Sequence, residues 1–221
     1  MTKKEKLLLR ISDILDGKIN PTTIKDWGLI PYFDHSSTVT SSMIPNHQLL
    51  PIALQCAEIV VYSGTNAPAS SDLPIVKWVR KDLNCLSWIA YLGYCCLKRK
   101  ISYTEGNELF LDGDFVAKIL SVKDLLYSKY NSFEKQMEIK FTLVNGDSFV
   151  IKKLETKPTM PNELREGVLP GKSISGWHLK NVWLRWGAEN LTPFFYHMGN
   201  TQLMAEATTR MSSEGRIFHE A

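Results

Sequence analysis

The stretch Met137–Leu154, MEIKFTLVNGDSFVIKKL, carries the clearest structural signal in the sequence. Two runs of β-forming residues meet at Asn145-Gly146, a dipeptide typical of tight hairpin turns because both of its positions accept positive φ. The first run alternates between apolar and polar residues, which predicts one buried and one solvated face. The residues predicted to share the buried face are Met137, Ile139, Phe141 and Leu143.

The register of this hairpin depends on the length of its loop. A two-residue loop would leave Phe149 and Ile151 on the polar face. A loop one residue longer pairs Phe149 with Leu143 and Ile151 with Phe141. Because a one-residue slip moves every side chain to the opposite face, burial favours the longer, bulged turn.

Helical periodicity is strongest in Ile75–Leu97, which is apolar on nearly every face and is therefore predicted to be a long buried helix. Glu5–Leu15 is predicted to be an N-terminal helix. Residues 114–130 fit a helix capped by Asp114. In the alternative interpretation, Asp112-Gly113 is a hairpin turn and a shorter helix begins near Ser121.

Two segments are predicted to be further strands, Ile52–Tyr62 for its β-branched end and Ile174–Trp186 for apolar residues on both faces. Residues 31–51, rich in Ser, Thr, His and Pro, are predicted to be a surface loop or arm. Asn200 is predicted to cap a C-terminal helix.

These elements predict an α+β fold for the whole chain. A small antiparallel sheet, built on the hairpin 137–154, packs against the long buried helix, and the N- and C-terminal helices are peripheral. The 221 residues are expected to form a single domain, with a possible helical arm over residues 1–50.

Composition is that of an ordinary globular protein, with 44% hydrophobic residues, 22% charged residues and a net charge of +3. The four cysteines lie in apolar surroundings without zinc-ligand spacing, so buried, reduced thiols are predicted. The N-terminus lacks the features of a signal peptide, and the uncharged run Leu83–Leu97 is too short to cross a bilayer. An intracellular, cytoplasmic and non-secreted protein without a transmembrane segment is expected.

One pattern suggests catalysis. Metal-dependent nucleases place an aspartate on one strand and an acid-x-lysine sequence on the next, so that two carboxylates hold Mg²⁺. Asp112 or Asp114, followed by Glu138 and Lys140, has this order. The same acid-x-lysine pattern also describes the solvated face of any amphipathic strand. A nuclease using Mg²⁺ is therefore the alternative hypothesis, and otherwise no cofactor or resident metal is expected.

Basic and aromatic residues interleave in several places, as they do on surfaces that hold an anionic partner. The leading hypothesis is a non-catalytic interaction or assembly protein, such as a viral matrix or coat-type structural protein or a subunit of a nucleoprotein complex. Its expected partners are proteins or further copies of the chain, and also nucleic acid or an anionic membrane surface. Basic residues at helix ends, including Lys3, Lys4 and Lys6, are expected to serve association rather than folding. The predicted anion-binding residues are Lys77, Arg80, Lys81, Lys98, Arg99, Lys100 and Arg185.

Overall fold

The computed structural model describes residues 1–20, 36–42, 46–63, 74–104, 112–143 and 146–155, together with Ile30 and Ile44. Within these residues the fold is mostly helical, with six α-helices, one 3₁₀ turn and a two-stranded antiparallel sheet. The elements are α1 (Lys3–Leu15), α2 (Ser37–Ser42), the 3₁₀ turn (Asn46–Gln48), α3 (Leu49–Ser63), α4 (Pro74–Lys81), α5 (Leu83–Thr104), α6 (Gly113–Lys135), β1 (Glu138–Thr142) and β2 (Ser148–Lys152). The predicted strand Ile174–Trp186 and the helix predicted to begin at Asn200 lie outside the described residues.

The long apolar segment is the centre of the fold, as predicted, but it forms two helices instead of one. α5 packs against α2, α3, α4 and α6. The break falls at Asp82, whose buried carboxylate accepts a hydrogen bond of 2.9 Å from the backbone N–H of Asn84. A carboxylate that binds the free N–H groups of a helix start is a typical N-cap, and it marks the start of α5.

The segment Ile52–Tyr62 is a helix, so its prediction as a strand is wrong. It forms most of α3, which is buried along nearly its whole length. An uninterrupted apolar run has no period that separates a buried strand from a buried helix. Leu, Ala, Gln and Glu, which favour helices, make up much of the segment and outweigh the β-branched residues at its end.

The central helices approach each other closely at Gly93 of α5. A Cβ atom added there would lie 2.7 Å from the Cβ of Cys56 on α3 and 2.9 Å from a methyl group of Leu126 on α6. Glycine is therefore required for the spacing of the three helices. All four cysteines are buried and unbonded, in agreement with the prediction.

The N-terminal helix contributes to the core, so its prediction as a peripheral helix is wrong. A capping box of Thr2 and Glu5 starts α1, and Ile11 and Ile14 are buried. The guanidinium of Arg10 donates two hydrogen bonds to the Glu58 carboxylate of α3, at 2.6 and 2.9 Å. Glu58 is nearly completely buried, so this pair fixes α1 to α3.

Part of the segment predicted to be a surface loop, residues 31–51, is helical and packed. In α2, Ser37, Thr40 and Ser41 are buried. The hydroxyl of Ser37 donates to the carbonyl of Trp88 (2.9 Å), and the guanidinium of Arg99 donates to the carbonyls of Ser41 and Ile44. Backbone carbonyl groups in this region accept hydrogen bonds from short polar side chains and from Arg99, which is distant in sequence. Local composition does not reveal these hydrogen bonds.

The predicted hairpin is present, with a register that differs from both predicted alternatives. Phe141 pairs with Phe149, and Ile139 pairs with Ile151. The pairing differs by two residues from that of the bulged turn, and a two-residue shift leaves the faces unchanged. The predicted faces of Phe149 and Ile151 are therefore right, while their predicted partners are wrong. Met137 is 72% exposed and does not belong to the buried face.

The hairpin packs where α4 meets α5, beside the end of α6. Ile151 is fully buried, and the guanidinium of Arg80 lies over the ring of Phe149, 4.9 Å from its centroid. The ammonium group of Lys153 contacts the Glu134 carboxylate at 3.1 Å. The side chain of Asn84 donates to the Leu154 carbonyl at 2.6 Å, so the open end of the hairpin is fixed to α5 and α6.

Candidate interaction surface

The aspartates of the proposed nuclease site cap and flank α6. The Asp112 carboxylate accepts hydrogen bonds from the N–H groups of Asp114 and Phe115, and it pairs with the ammonium group of Lys4 at 2.5 Å. The hydrogen bond from Lys4, together with the bond from the Phe115 N–H, holds the pKa of Asp112 below its usual value. Asp114 pairs with Lys118 one helical turn away. Asp112, and not Asp114, is thus the N-cap of the predicted helix.

The remaining nuclease residues, Glu138 and Lys140, lie beyond the opposite end of α6. This helix has 23 residues. At about 1.5 Å per residue, it separates Asp112 from Glu138 by about 34 Å. The structure therefore does not bring together the predicted carboxylates. Within the described residues, no group of three or more His, Cys, Asp or Glu side chains is placed to hold a metal ion.

The two predicted anion-binding arginines among the described residues interact with the protein itself. Arg80 lies between the rings of Tyr62 and Phe149, and burial lowers the pKa of its guanidinium. Arg99 binds backbone carbonyls of α2 and of Ile44. Lys77, Lys81 and Lys98 have exposed side chains, whereas Lys100 is half-buried. Arg185 lies outside the described residues.

A row of paired residues runs along the line where α5 and α6 meet in antiparallel orientation. The hydroxyl of Ser87 donates to the Glu134 carboxylate at one end of this line. One turn further, the rings of Tyr91 and Tyr130 lie 4.4 Å apart, and those of Tyr94 and Tyr127 follow at 4.8 Å. We call these four tyrosines, Tyr91, Tyr94, Tyr127 and Tyr130, the tyrosine seam.

The tyrosine seam is partly open to solvent. Tyr127 is 45% exposed, and the other three rings are half-buried. Burial, followed by the nearby Cys95 thiol, raises the pKa of the Tyr91 phenol, and burial, followed by Glu134, raises that of Tyr130. The phenols of Tyr91 and Tyr130 therefore remain neutral hydroxyl groups at physiological pH. Such a surface combines aromatic area with hydrogen-bonding capacity, which is typical of binding surfaces.

Two lysines lie next to the tyrosines at one end of the seam. The antiparallel register defined by the two tyrosine contacts places Lys98 of α5 opposite Lys123 of α6, one turn beyond Tyr94 and Tyr127. Lys98 is exposed, and Lys123 lies 3.8 Å from the carboxylate of its neighbour Asp124. We call Lys98 and Lys123 the lysine pair. Lys98 was predicted as an anion-binding residue, and Lys123 was not.

Tyr127 also borders an open depression of about 500 Å³ on the outer side of α6. Hydroxyl, amide and charged groups line this depression together with the aromatic ring of Tyr127. The other lining residues are Asp124, Ser128, Asn131, Ser132 and Lys135.

Sequence reasoning missed the tyrosine seam, although a signal was present. Tyr91 and Tyr94 are three residues apart, and so are Tyr127 and Tyr130, so each pair lies on one face of its helix. The aromatic residues of α5 were predicted to fill the core. Only the antiparallel pairing of α5 with α6 shows that the two pairs face each other.

Comparisons with known proteins give no match: no protein-family model, no curated protein and no solved structure is similar to this chain. Among the helices of the described residues, none combines the length and the apolar character needed to span a membrane. Functional inference therefore depends on the geometry of the tyrosine seam and on its charges.

Proposed function

We propose that this protein is a non-catalytic interaction protein that binds an anionic partner through the tyrosine seam and the lysine pair. Such a surface suits a matrix or coat-type structural protein or a subunit of a nucleoprotein complex. The observation that carries the proposal is the placement of four partly exposed tyrosines between the two longest described helices, with two lysines at one end.

The contacts around the seam support binding rather than a purely structural role. Lys98 and Lys123 carry like charges at the same level of adjacent helices, and like charges repel each other. Asp124 offsets only part of this charge, because it lies at 3.8 Å and its side chain is largely exposed. A bound anion would relieve the remaining repulsion.

The experiment compares binding of the wild-type chain and of the double variant Lys98→Gln/Lys123→Gln to two probes, a fluorescent oligonucleotide and liposomes that contain phosphatidylserine. The matched control is Lys140→Gln/Lys152→Gln, which removes the same charge from exposed positions of the hairpin. For a nucleic-acid probe, each lost contact should reduce the slope of log affinity against log salt by about 0.7–0.9.

We expect the wild-type chain to bind at least one probe at low salt, and the seam variant to bind it more weakly with a flatter salt dependence. The hairpin control should retain wild-type binding. If the chain binds neither probe, or if both variants lose affinity equally, the proposal is wrong.

A further inference from the structure

We infer that the tyrosine seam binds single-stranded nucleic acid, with a base stacked on the exposed ring of Tyr127 and phosphates held by the lysine pair. This inference rests on the proposed function and names the chemical class of its anionic partner.

The tyrosines and lysines follow each other along the seam in an order that suits a single strand. Tyr94 and Lys98 are four residues apart on α5, and Tyr127 and Lys123 have the same separation on α6. At about 1.5 Å per residue, an aromatic pair and a cationic pair follow each other at about 6 Å. Surfaces that hold single strands combine these two features, aromatic faces for the bases and positive groups along the backbone.

The depression beside Tyr127 supplies hydrogen-bonding groups that a base could use. Ser128, Asn131 and Ser132 supply hydroxyl and amide groups next to the exposed ring. Unpaired bases present hydrogen-bonding edges, and single-stranded recognition uses these edges together with stacking. The lining also contains one basic residue, Lys135, and one acidic residue, Asp124.

A membrane surface fits the same charges less well. Peripheral membrane-binding helices insert an apolar face, whereas the tyrosine seam presents phenol groups and adjoins hydroxyl and amide side chains. In this part of α6, the large exposed apolar side chain is Leu120. Nucleic acid is therefore the partner that the side chains favour, and lipid binding is an alternative outcome of the test.

The test measures fluorescence anisotropy with two strands of about 12 nucleotides. One is oligothymidine, and the other is an abasic strand with the same number of phosphates. If bases stack on the seam, oligothymidine should bind roughly 5-fold to 100-fold more tightly than the abasic strand at equal salt.

Two substitutions at Tyr127 then separate stacking from other contributions. Tyr127→Leu removes the aromatic face and should reduce oligothymidine affinity toward that of the abasic strand. Tyr127→Phe keeps the ring and should retain most of the preference for bases. Because Tyr127 is 45% exposed, we expect both variants to fold, which thermal unfolding verifies.

The outcomes distinguish this inference from the proposed function. Equal affinity for the two strands, or unchanged base preference in Tyr127→Leu, overturns stacking and leaves a purely electrostatic surface. Binding to phosphatidylserine liposomes without binding to either strand overturns the nucleic-acid assignment, while the anionic partner stands. Failure to bind any of these probes at low salt overturns both.

Discussion

Gly93 lies where α3, α5 and α6 meet, and it supports the most specific prediction for a single residue. Alanine would place a Cβ 2.7 Å from the Cβ of Cys56 and 2.9 Å from a Leu126 methyl group. Overpacking of this kind costs about 1–3 kcal/mol. The higher helix propensity of alanine returns up to about 1 kcal/mol. The net loss is therefore up to about 2 kcal/mol, and because the Cβ of Cys56 cannot rotate away we expect Gly93→Ala to lie in the upper half of that range, measured by urea denaturation.

The matched control is Gly113→Ala at the start of α6, where an added Cβ meets no atom within 4 Å. This variant should change the free energy of unfolding by less than about 0.5 kcal/mol. If the two variants are equally stable, α3 and α6 can move away from α5 at little cost in free energy, and the packing at Gly93 is not close.

The cysteine thiols give a second prediction at this scale. Burial raises the pKa of all four, so the reactive thiolate is scarce at neutral pH. We expect a thiol reagent to label the folded protein at least about tenfold more slowly than the urea-unfolded protein. Rapid labelling of Cys56 or Cys96 in folded protein, detected by mass spectrometry, would contradict their burial.

At the level of elements, the buried ion pair between α1 and α3 is the contact most sensitive to loss of one partner. Arg10→Met would remove both guanidinium hydrogen bonds from the buried Glu58 carboxylate, and removal of one member of a buried pair costs up to about 3–5 kcal/mol. The double variant Arg10→Met/Glu58→Gln should recover part of this loss. Urea denaturation of the two variants tests both statements, and a loss below about 1 kcal/mol for Arg10→Met would show that α1 does not depend on the pair.

Arg99 and Lys98 are neighbours on α5 with different expected roles. Arg99 donates to the carbonyls of Ser41 and Ile44, and hydrogen bonds from charged donors contribute about 1.5–3 kcal/mol. Arg99→Gln should therefore lower the free energy of unfolding by about that amount. Lys98→Gln, at an exposed position, should change it by less than about 0.5 kcal/mol. Equal effects in thermal unfolding would show that Arg99 does not hold α2.

Arg99 and Lys4 also correct one expectation from the sequence, that basic residues at helix ends serve association alone. Lys4 pairs with the cap of α6, and Arg99 binds α2. Both partners are distant in sequence, so charge and exposure estimated from local composition do not reveal them. Any variant designed to test binding should keep these two residues.

The elements that the sequence predicts best are those with local signals. The hairpin follows from Asn145-Gly146 and alternating residues, and α6 follows from its apolar stripe, although its cap is Asp112 and not the predicted Asp114. The helical state of α3 was not predictable from periodicity, because the segment is apolar on all sides and its buried Glu58 has its partner in another helix. The break at Asp82 was missed for a related reason, since one of its hydrogen bonds comes from the distant N–H of Leu154.

Local sequence signals likewise reveal only part of the candidate surface. Lys98 was found through its basic neighbours, a local pattern. The tyrosine seam and Lys123 depend on the relative register of α5 and α6, which is a tertiary property. The proposed nuclease site fails for the opposite reason: its residues have a plausible order in sequence, but the length of α6 separates them.

At the level of the whole molecule, the buried thiols and phenols predict how the free energy of unfolding depends on pH. The pKa values of the four thiols and of Tyr91 and Tyr130 are all raised, primarily by burial. The folded chain therefore keeps protons that the unfolded chain loses in alkaline solution. Their contribution to stability is fully present below the ordinary thiol pKa of about 8.5 and is lost as the pH rises above it.

We accordingly expect the free energy of unfolding to fall between about pH 8.5 and 10, by up to about 1.4 kcal/mol per pH unit for each fully buried thiol, a slope approached as the unfolded thiol becomes fully ionised. Urea denaturation in the presence of a reductant, repeated at several pH values, measures this slope. The control is Cys96→Ala, which removes one fully buried thiol. It should cost stability at pH 7 because it leaves a small cavity, yet it should make the alkaline decline less steep. Two results would show that the buried thiols do not control the alkaline response: a wild-type stability that does not change across this range, or an equal slope in Cys96→Ala. A group that loses its proton equally in the folded and unfolded states cannot make stability depend on pH.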